Sequence, residues 1–240
     1  MKKLLVLLVI AFAGASCNVR TDVSVTTTPS IRDVKGFDQI EVSGAIDLSI
    51  VQGTEESVSV SASSDELAAR VKTEVTGGVL KIYVEDKGFW HSSINGKVQA
   101  FVTFKELERL ESSGACTVKA KRINTKDLKI ELSGASYFEG NVSVENLDLD
   151  ISGASNIKIS GAASATKIDA SGACNLKGYN LKTDFCKVDA SGASSIHIWV
   201  SKEISGEASG GSSITYKGDG VEKDISTSGA GSIKKSSGDD

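Results

Sequence analysis

Leu147-Asp148-Leu149-Asp150-Ile151-Ser152-Gly153-Ala154-Ser155-Asn156-Ile157 decides the fold of this chain. Its first five residues alternate apolar and acidic, which is the period of a strand with one buried face. Ser152-Gly153-Ala154 then supplies a corner, because Gly adopts backbone angles closed to other residues and small side chains let neighbouring backbones approach. The corner returns along the chain: Ser-Gly-(Ala or Gly) triplets start at Ser113, Ser133, Ser152, Ser171, Ser191, Ser209 and Ser228, in steps of 20, 19, 19, 20, 18 and 19 residues. A strand-rich unit this short cannot bury its own apolar face, so it must stack on copies of itself.

Reading the repeat in columns sharpens this. The fifth residue after each repeat Ser is Val118, Phe138, Ile157, Leu176, Ile196, Ile214 or Ile233, and the third before it is Leu110, Ile130, Leu149, Ile168 or Val188 in the first five units. The expectation is an all-β, single-stranded parallel β-helix (β-solenoid) with coils of about 19 residues stacked about 4.8 Å apart. Regular coils occupy 112–234, each a strand, a corner, a second strand and an irregular return. Residues 36–111 read as a less regular N-terminal part that caps the rod. There Ser43-Gly44-Ala45 leads into Ile46-Asp47-Leu48-Ser49-Ile50, Val58-Ser59-Val60 and Val79 to Val84 read as further strands, and Ser64 to Arg70 is the one helical turn.

Residues 1–17 read as an export segment: Lys2 and Lys3, an apolar run from Leu4 to Phe12, then Gly14-Ala15-Ser16 before Cys17. The run is shorter than the ~20 residues of a membrane-spanning helix. Small residues followed by Cys resemble the lipobox of bacterial lipoproteins, with Gly14 in the place of the usual aliphatic residue, and make Cys17 the expected lipid attachment site. Residues 18–35, centred on Thr26-Thr27-Thr28-Pro29-Ser30, read as a flexible tether. A net charge of −4 with interspersed Lys and Asp/Glu offers no basic face, which sets nucleic acid aside. Cys116, Cys174 and Cys186 lack metal-type spacing. Cys116 and Cys174 fall three coils apart, roughly 14 Å, which is too far for a disulfide.

The order of these features resembles a known family. Gly36-Phe37-Asp38-Gln39-Ile40-Glu41-Val42-Ser43-Gly44, Ile50-Val51-Gln52-Gly53 with Val58-Ser59-Val60, Leu67 to Ile82, the Ser-Gly-Ala coils, and Gly218-Asp219-Gly220 with Ser228 to Ile233 match the bacterial family named putative auto-transporter adhesin, head GIN domain. Phe104-Lys105-Glu106-Leu107 departs from it where relatives often carry a Pro before the Leu. The resemblance implies a right-handed β-helix, an exported cell-envelope protein of the outer-membrane lipoprotein type, and an adhesin-like role. It carries over no catalytic residue and no cofactor.

Three sets of residues are candidates for a site. An acidic column two residues before each repeat Ser (Glu111, Glu131, Asp150, Asp169, Asp189, Glu207) reads as a row of weak Ca²⁺ sites, with Asp150, Asp169 and Asp189 at its centre, or as a stack neutralised by Lys129, Lys167 and Lys187. The second reading is preferred and implies no metal. Tyr179 and Trp199, each eight residues after a repeat Ser, with Lys177 and His197 two residues before them, read as an aromatic platform for a sugar ring or as packing under a return loop. Phe89, Trp90 and His91, in a loop between glycines, read as a recognition loop or as a lid on the open N-terminal end. An enzyme is disfavoured, because the carboxylates recur with the repeat and no nucleophile, base and orienting group assemble. The functional expectation is a membrane-anchored adhesin-like solenoid binding a glycan or an envelope protein. The alternatives are a structural envelope protein that associates through the solenoid ends and, less favoured, a polysaccharide-acting β-helix enzyme.

Overall fold

The computed structural model describes residues 27–85 and 96–236. The N-terminal part carries β1 (Ser30–Arg32), β2 (Gln39–Gly44), β3 (Ile46–Gln52), β4 (Ser57–Ala62), α1 (Asp65–Arg70), β5 (Val71–Thr76), β6 (Val79–Val84) and β7 (Val98–Phe104). The repeats carry β8 (Arg109–Gly114), β9 (Thr117–Asn124), β10 (Asp127–Leu132), β11 (Tyr137–Ile151), β12 (Asn156–Ala170), β13 (Asn175–Ala190), β14 (Ser195–Ala208), β15 (Ser213–Lys217), β16 (Val221–Thr227) and β17 (Ser232–Lys235).

The chain is a parallel β-solenoid of about seven turns. In β11 and β12, Tyr137 pairs with Asn156 and Leu149 with Ile168, an offset of 19 residues that leaves like residues stacked on like. One buried column runs Leu80, Ile40, Leu110, Ile130, Leu149, Ile168 and Val188; a second runs Leu48, Val118, Phe138, Ile157, Leu176, Ile196 and Ile214. Each such side chain contributes about 1.5–3 kcal/mol by leaving water, so the sequence pattern is itself the source of the stacking.

Two features differ from the reading by sequence. The return of the central coils is strand rather than irregular: β11 to β14 run 14 to 16 residues and bend with local register shifts in their ladders. Small residues make this possible, as in Gly161-Ala162-Ala163 of β12, where Gly161 takes φ +114°. Turns in the N-terminal part are also not stacked in chain order. β2–β3 lies directly against β8–β9, and β6–β7 lies on the far side of β2–β3, all in parallel. The end beyond β6–β7 is closed by antiparallel strands, β5 on β6, β4 on β7 and β1 on β4. The cap thus ends the parallel ladder with a change of strand direction.

Within the stretch expected to be a tether, Thr27 is bonded to Ala62 through both its carbonyl-seeking N–H (3.1 Å) and its accepting hydroxyl (2.8 Å), and β1 follows directly. α1 starts where expected: the Ser64 hydroxyl accepts from the Leu67 N–H at 3.2 Å. Cys116, Cys174 and Cys186 are free and buried. Cys17, Phe89, Trp90 and His91 lie outside the described residues.

Candidate functional site

The acidic column forms on the outer face just before the corner, and basic side chains sit among its members. Lys81 meets Glu41 at 3.0 Å, Lys129 meets Glu131 at 2.9 Å and Lys187 meets Asp189 at 3.4 Å, while Lys167 pairs with Asp169. Arg109 bridges two turns, holding Glu111 at 2.8 Å and pairing also with Glu131. Burial alone would raise the Glu131 carboxyl, but hydrogen bonds from Arg109 and Lys129 outweigh it and hold the group below its ordinary range. Among the described residues, no cluster of three or more His, Cys, Asp or Glu is placed to hold a metal ion. Four members of the column, Glu111, Glu131, Asp169 and Asp189, are paired with Lys or Arg, and Asp150, Asp169, Asp189 and Glu207 line a shallow groove with Ser171, Ser191 and Ser209.

Past the corner, the outer column is mainly basic, with one carboxylate, Glu139, in it. Lys119, Glu139, Lys158, Lys177 and His197 stand in register on successive turns. Beside them lies a groove of about 600 Å³, walled by Lys121, Lys158, Lys177, Asn141, Tyr179 and His197. The Tyr179 and His197 rings are 5.1 Å apart and tilted by 54°, and the Tyr179 hydroxyl shares a 3.0 Å hydrogen bond with His197 Nδ1. Burial, then the charge of Lys177, lowers the His197 imidazole below its ordinary value. Ser195 Oγ lies 3.4 Å from His197 Nε2, but the other ring nitrogen faces the Tyr179 hydroxyl in the place where a catalytic imidazole would have an orienting carboxylate.

Tyr179 and Trp199 do not occupy equivalent places, contrary to the sequence reading. Gly178 pairs with Ile198, yet the next pair is Lys182 with Trp199, so β13 spends four steps where β14 spends one. The bulge throws Tyr179 out beside His197 and brings Lys182 to Trp199, its Nζ 2.8 Å from the ring centroid. Lys217, from β15, stands 4.9 Å from the Tyr179 ring centroid. Instead of one bare two-ring platform there are two aromatic faces, each with an ammonium over it. Lys177 and His197 line one groove with Tyr179; Lys182, Lys217, Asn141 and Asn180 are not among the residues that the sequence singles out. The signal for the bulge was in the repeat steps, 20 residues from Ser171 and only 18 from Ser191.

A second groove, of about 580 Å³, follows the opposite side of the acidic face over Leu128, Leu147 and Cys186, with Phe185 48% exposed at its rim. Lys202 lies 5.3 Å from the Phe185 ring. The exposed Phe185 beside Cys186 is not among the residues that the sequence singles out.

The model of the family described as "Putative auto-transporter adhesin, head GIN domain" matches residues 36–220. Among solved structures, a putative adhesin from Bacteroides fragilis NCTC 9343 is 21% identical, with a TM-score of 0.79 over 87% of this chain and 96% of that one. A putative adhesin from Parabacteroides merdae ATCC 43184 is 16% identical, with a TM-score of 0.69 over 87% and 95%. A putative lipid binding protein from Parabacteroides distasonis ATCC 8503 is 22% identical, with a TM-score of 0.64 over 88% and 98%. At these identities the likeness is one of fold. No curated protein matches the sequence.

Proposed function

The chain belongs to the putative auto-transporter adhesin, head GIN domain family, and from that premise we propose a non-catalytic adhesin-like solenoid whose basic, aromatic wall binds glycan. The observation that carries this is the groove in which Tyr179 and His197 meet beside Lys177, with the side-chain amides of Asn141 and Asn180 at its edges. Rigid rings give contact area at small entropic cost, and the amides and amines offer directional bonds to hydroxyls. An envelope protein is the other partner compatible with an adhesin-like surface.

In the same proposal, residues 1–17 are an export signal, Cys17 carries lipid, 18–35 leads to the solenoid, and residues 36–240 form the binding domain of a cell-envelope, outer-membrane lipoprotein. Among the described residues no helix is long and apolar enough to cross a membrane. A broad glycan array probed with the detergent-solubilised full chain, beside its Tyr179→Ala/His197→Ala variant, tests the wall. Binding that the variant loses supports the reading, and a blank array contradicts it.

One observation favours a second reading, a structural rod that associates end to end. Among the described residues β16 and β17 pair on one side only, with β14 and β15, and Val221 is 68% exposed there. Sedimentation that shifts to larger species with concentration, and reverts in Val221→Lys, supports this reading.

A further inference from the structure

The two charged faces beside the corner are compensated differently. In the acidic column Glu41, Glu111, Glu131, Asp169 and Asp189 each meet a Lys or Arg, while among the described residues Asp150 and Glu207 form no ion pair. On the groove wall the balance runs the other way. Lys121, Lys158 and Lys177 face a single carboxylate, Glu139, which Lys158 occupies at 2.7 Å and the Tyr137 hydroxyl at 3.2 Å. Among the described residues, no carboxylate forms an ion pair with Lys177 or Lys182. Lys217 stands over the ring of Tyr179, a groove residue, and Lys182, on the Trp199 face outside the groove lining, is near enough to Lys217 to be repelled by it, so further positive charge lies beside the groove. Crowding has an electrostatic cost: burial and then Lys217 lower the Lys182 ammonium, and burial and then Lys177 lower His197.

We propose that this groove takes an acidic saccharide, a polymer bearing carboxylate or sulfate groups, with Lys177 on its wall and Lys182 beside it as the anion-binding side chains and Tyr179 as the ring against which a sugar lies. The inference rests on the glycan reading above and narrows it. An anion seated between these ammonium groups relieves their mutual repulsion and gains charge-assisted hydrogen bonds, which are about twice as strong as neutral ones. A polymer fits better than a small anion because the wall repeats along the rod, with Lys158 and Lys177 in register one turn apart at about 4.8 Å. A saccharide fits better than an acidic peptide because the groove adds an aromatic ring and the amides of Asn141 and Asn180 to the cations.

The test is equilibrium binding of the detergent-solubilised full chain to three probes at low and high salt: polygalacturonate, a heparin-type sulfated polysaccharide, and fully methyl-esterified polygalacturonate. The variants are Lys177→Gln/Lys182→Gln and Tyr179→Ala, each checked for an unchanged circular-dichroism melt. The expected result is binding of at least one acidic polymer, weakened by salt and about ten-fold or more weaker in the double-Lys variant, with the methyl ester bound poorly. Binding of polygalacturonate identifies carboxylate as a sufficient anion, and binding of the heparin-type polymer alone, which carries carboxylates too, identifies sulfate as the required one. Equal binding of the methyl ester, lost in Tyr179→Ala, would overturn the acidic ligand and leave the glycan groove standing. Acidic binding unaffected by the double-Lys variant, or no acidic binding at all, would also overturn it.

Discussion

A Cβ placed on Gly134 would stand 2.5 Å from the carbonyl oxygen of Gly114 in the neighbouring turn. The same relationship links Gly114 to Gly44 and Gly192 to Gly172, each at 2.5 Å, so the corners stack backbone on backbone from the first turn onward. Gly134 also takes φ +73°. Gly134→Ala should therefore cost about 3 kcal/mol or more, from left-handed backbone strain plus overpacking. Gly77, at φ +59° with nothing within 4 Å of its Cβ position, provides the comparison; Gly77→Ala should cost only about 1 kcal/mol. Urea denaturation of the two variants should separate them, and equal losses would mean that corner stacking is not what requires glycine.

In five of the seven repeats a buried Ser or Cys three residues after the repeat Ser turns inward and donates to that Ser's own carbonyl: Cys116 to Ser113 at 3.3 Å, Ser136 to Ser133 at 2.9 Å, Cys174 to Ser171 at 3.0 Å, Ser194 to Ser191 at 2.9 Å and Ser212 to Ser209 at 2.7 Å. Cys here is a variant of a serine ladder. Cys174→Ser should leave the thermal midpoint nearly unchanged, whereas Ser136→Ala should cost about 1 kcal/mol.

Burial raises all three described thiols, and pushes Cys186 up to about 12. Neutral, buried thiols are poor nucleophiles. A thiol-specific reagent at neutral pH should label Cys116, Cys174 and Cys186 only under denaturing conditions; rapid labelling of Cys186 in the native protein would contradict the packing.

Glu131 sets a pH dependence. Its carboxyl lies lower in the folded chain than its ordinary 4.5, so the folded state binds the proton less well than the unfolded one. The resulting stability is fully present above the unfolded value and is lost as pH falls through the folded one. Glu131→Gln should therefore be about 1 kcal/mol less stable than the parent at neutral pH, with the difference closing below pH 4.5. A gap that stays constant into acid would rule out the Arg109 and Lys129 contacts as its source.

Much of the fold was legible because each turn repeats the same requirement. Ile157 and Leu176 are buried in register because their positions relative to Ser152 and Ser171 are the same, and the Gly column follows from the corner. What could not be read depends on pairings between segments distant in sequence. Nothing local tells β6 to pair on the far side of β2 while β8 takes the near side. Equal counting from the repeat Ser placed Tyr179 beside Trp199, and it fails because β13 carries a bulge after Gly178. Lys182 and Lys217 enter the site only through that bulge and from the next turn, so a column-by-column reading had no reason to join them to Tyr179. The burial of Ser136 and Ser194 was equally hidden, since a hydroxyl satisfied by a carbonyl three residues back looks polar in the sequence.

The central claim is that function resides on the wall carrying Tyr179, His197 and Lys177. Hydrogen–deuterium exchange of the full chain, with and without a saturating bound polysaccharide, tests it most directly. The account predicts added protection confined to residues 139–141, 158–160, 177–182 and 197–199. Protection instead at Val221–Thr227 and Ser232–Lys235, or along the Leu128, Leu147 and Phe185 groove, would contradict it and locate the working surface elsewhere on the rod.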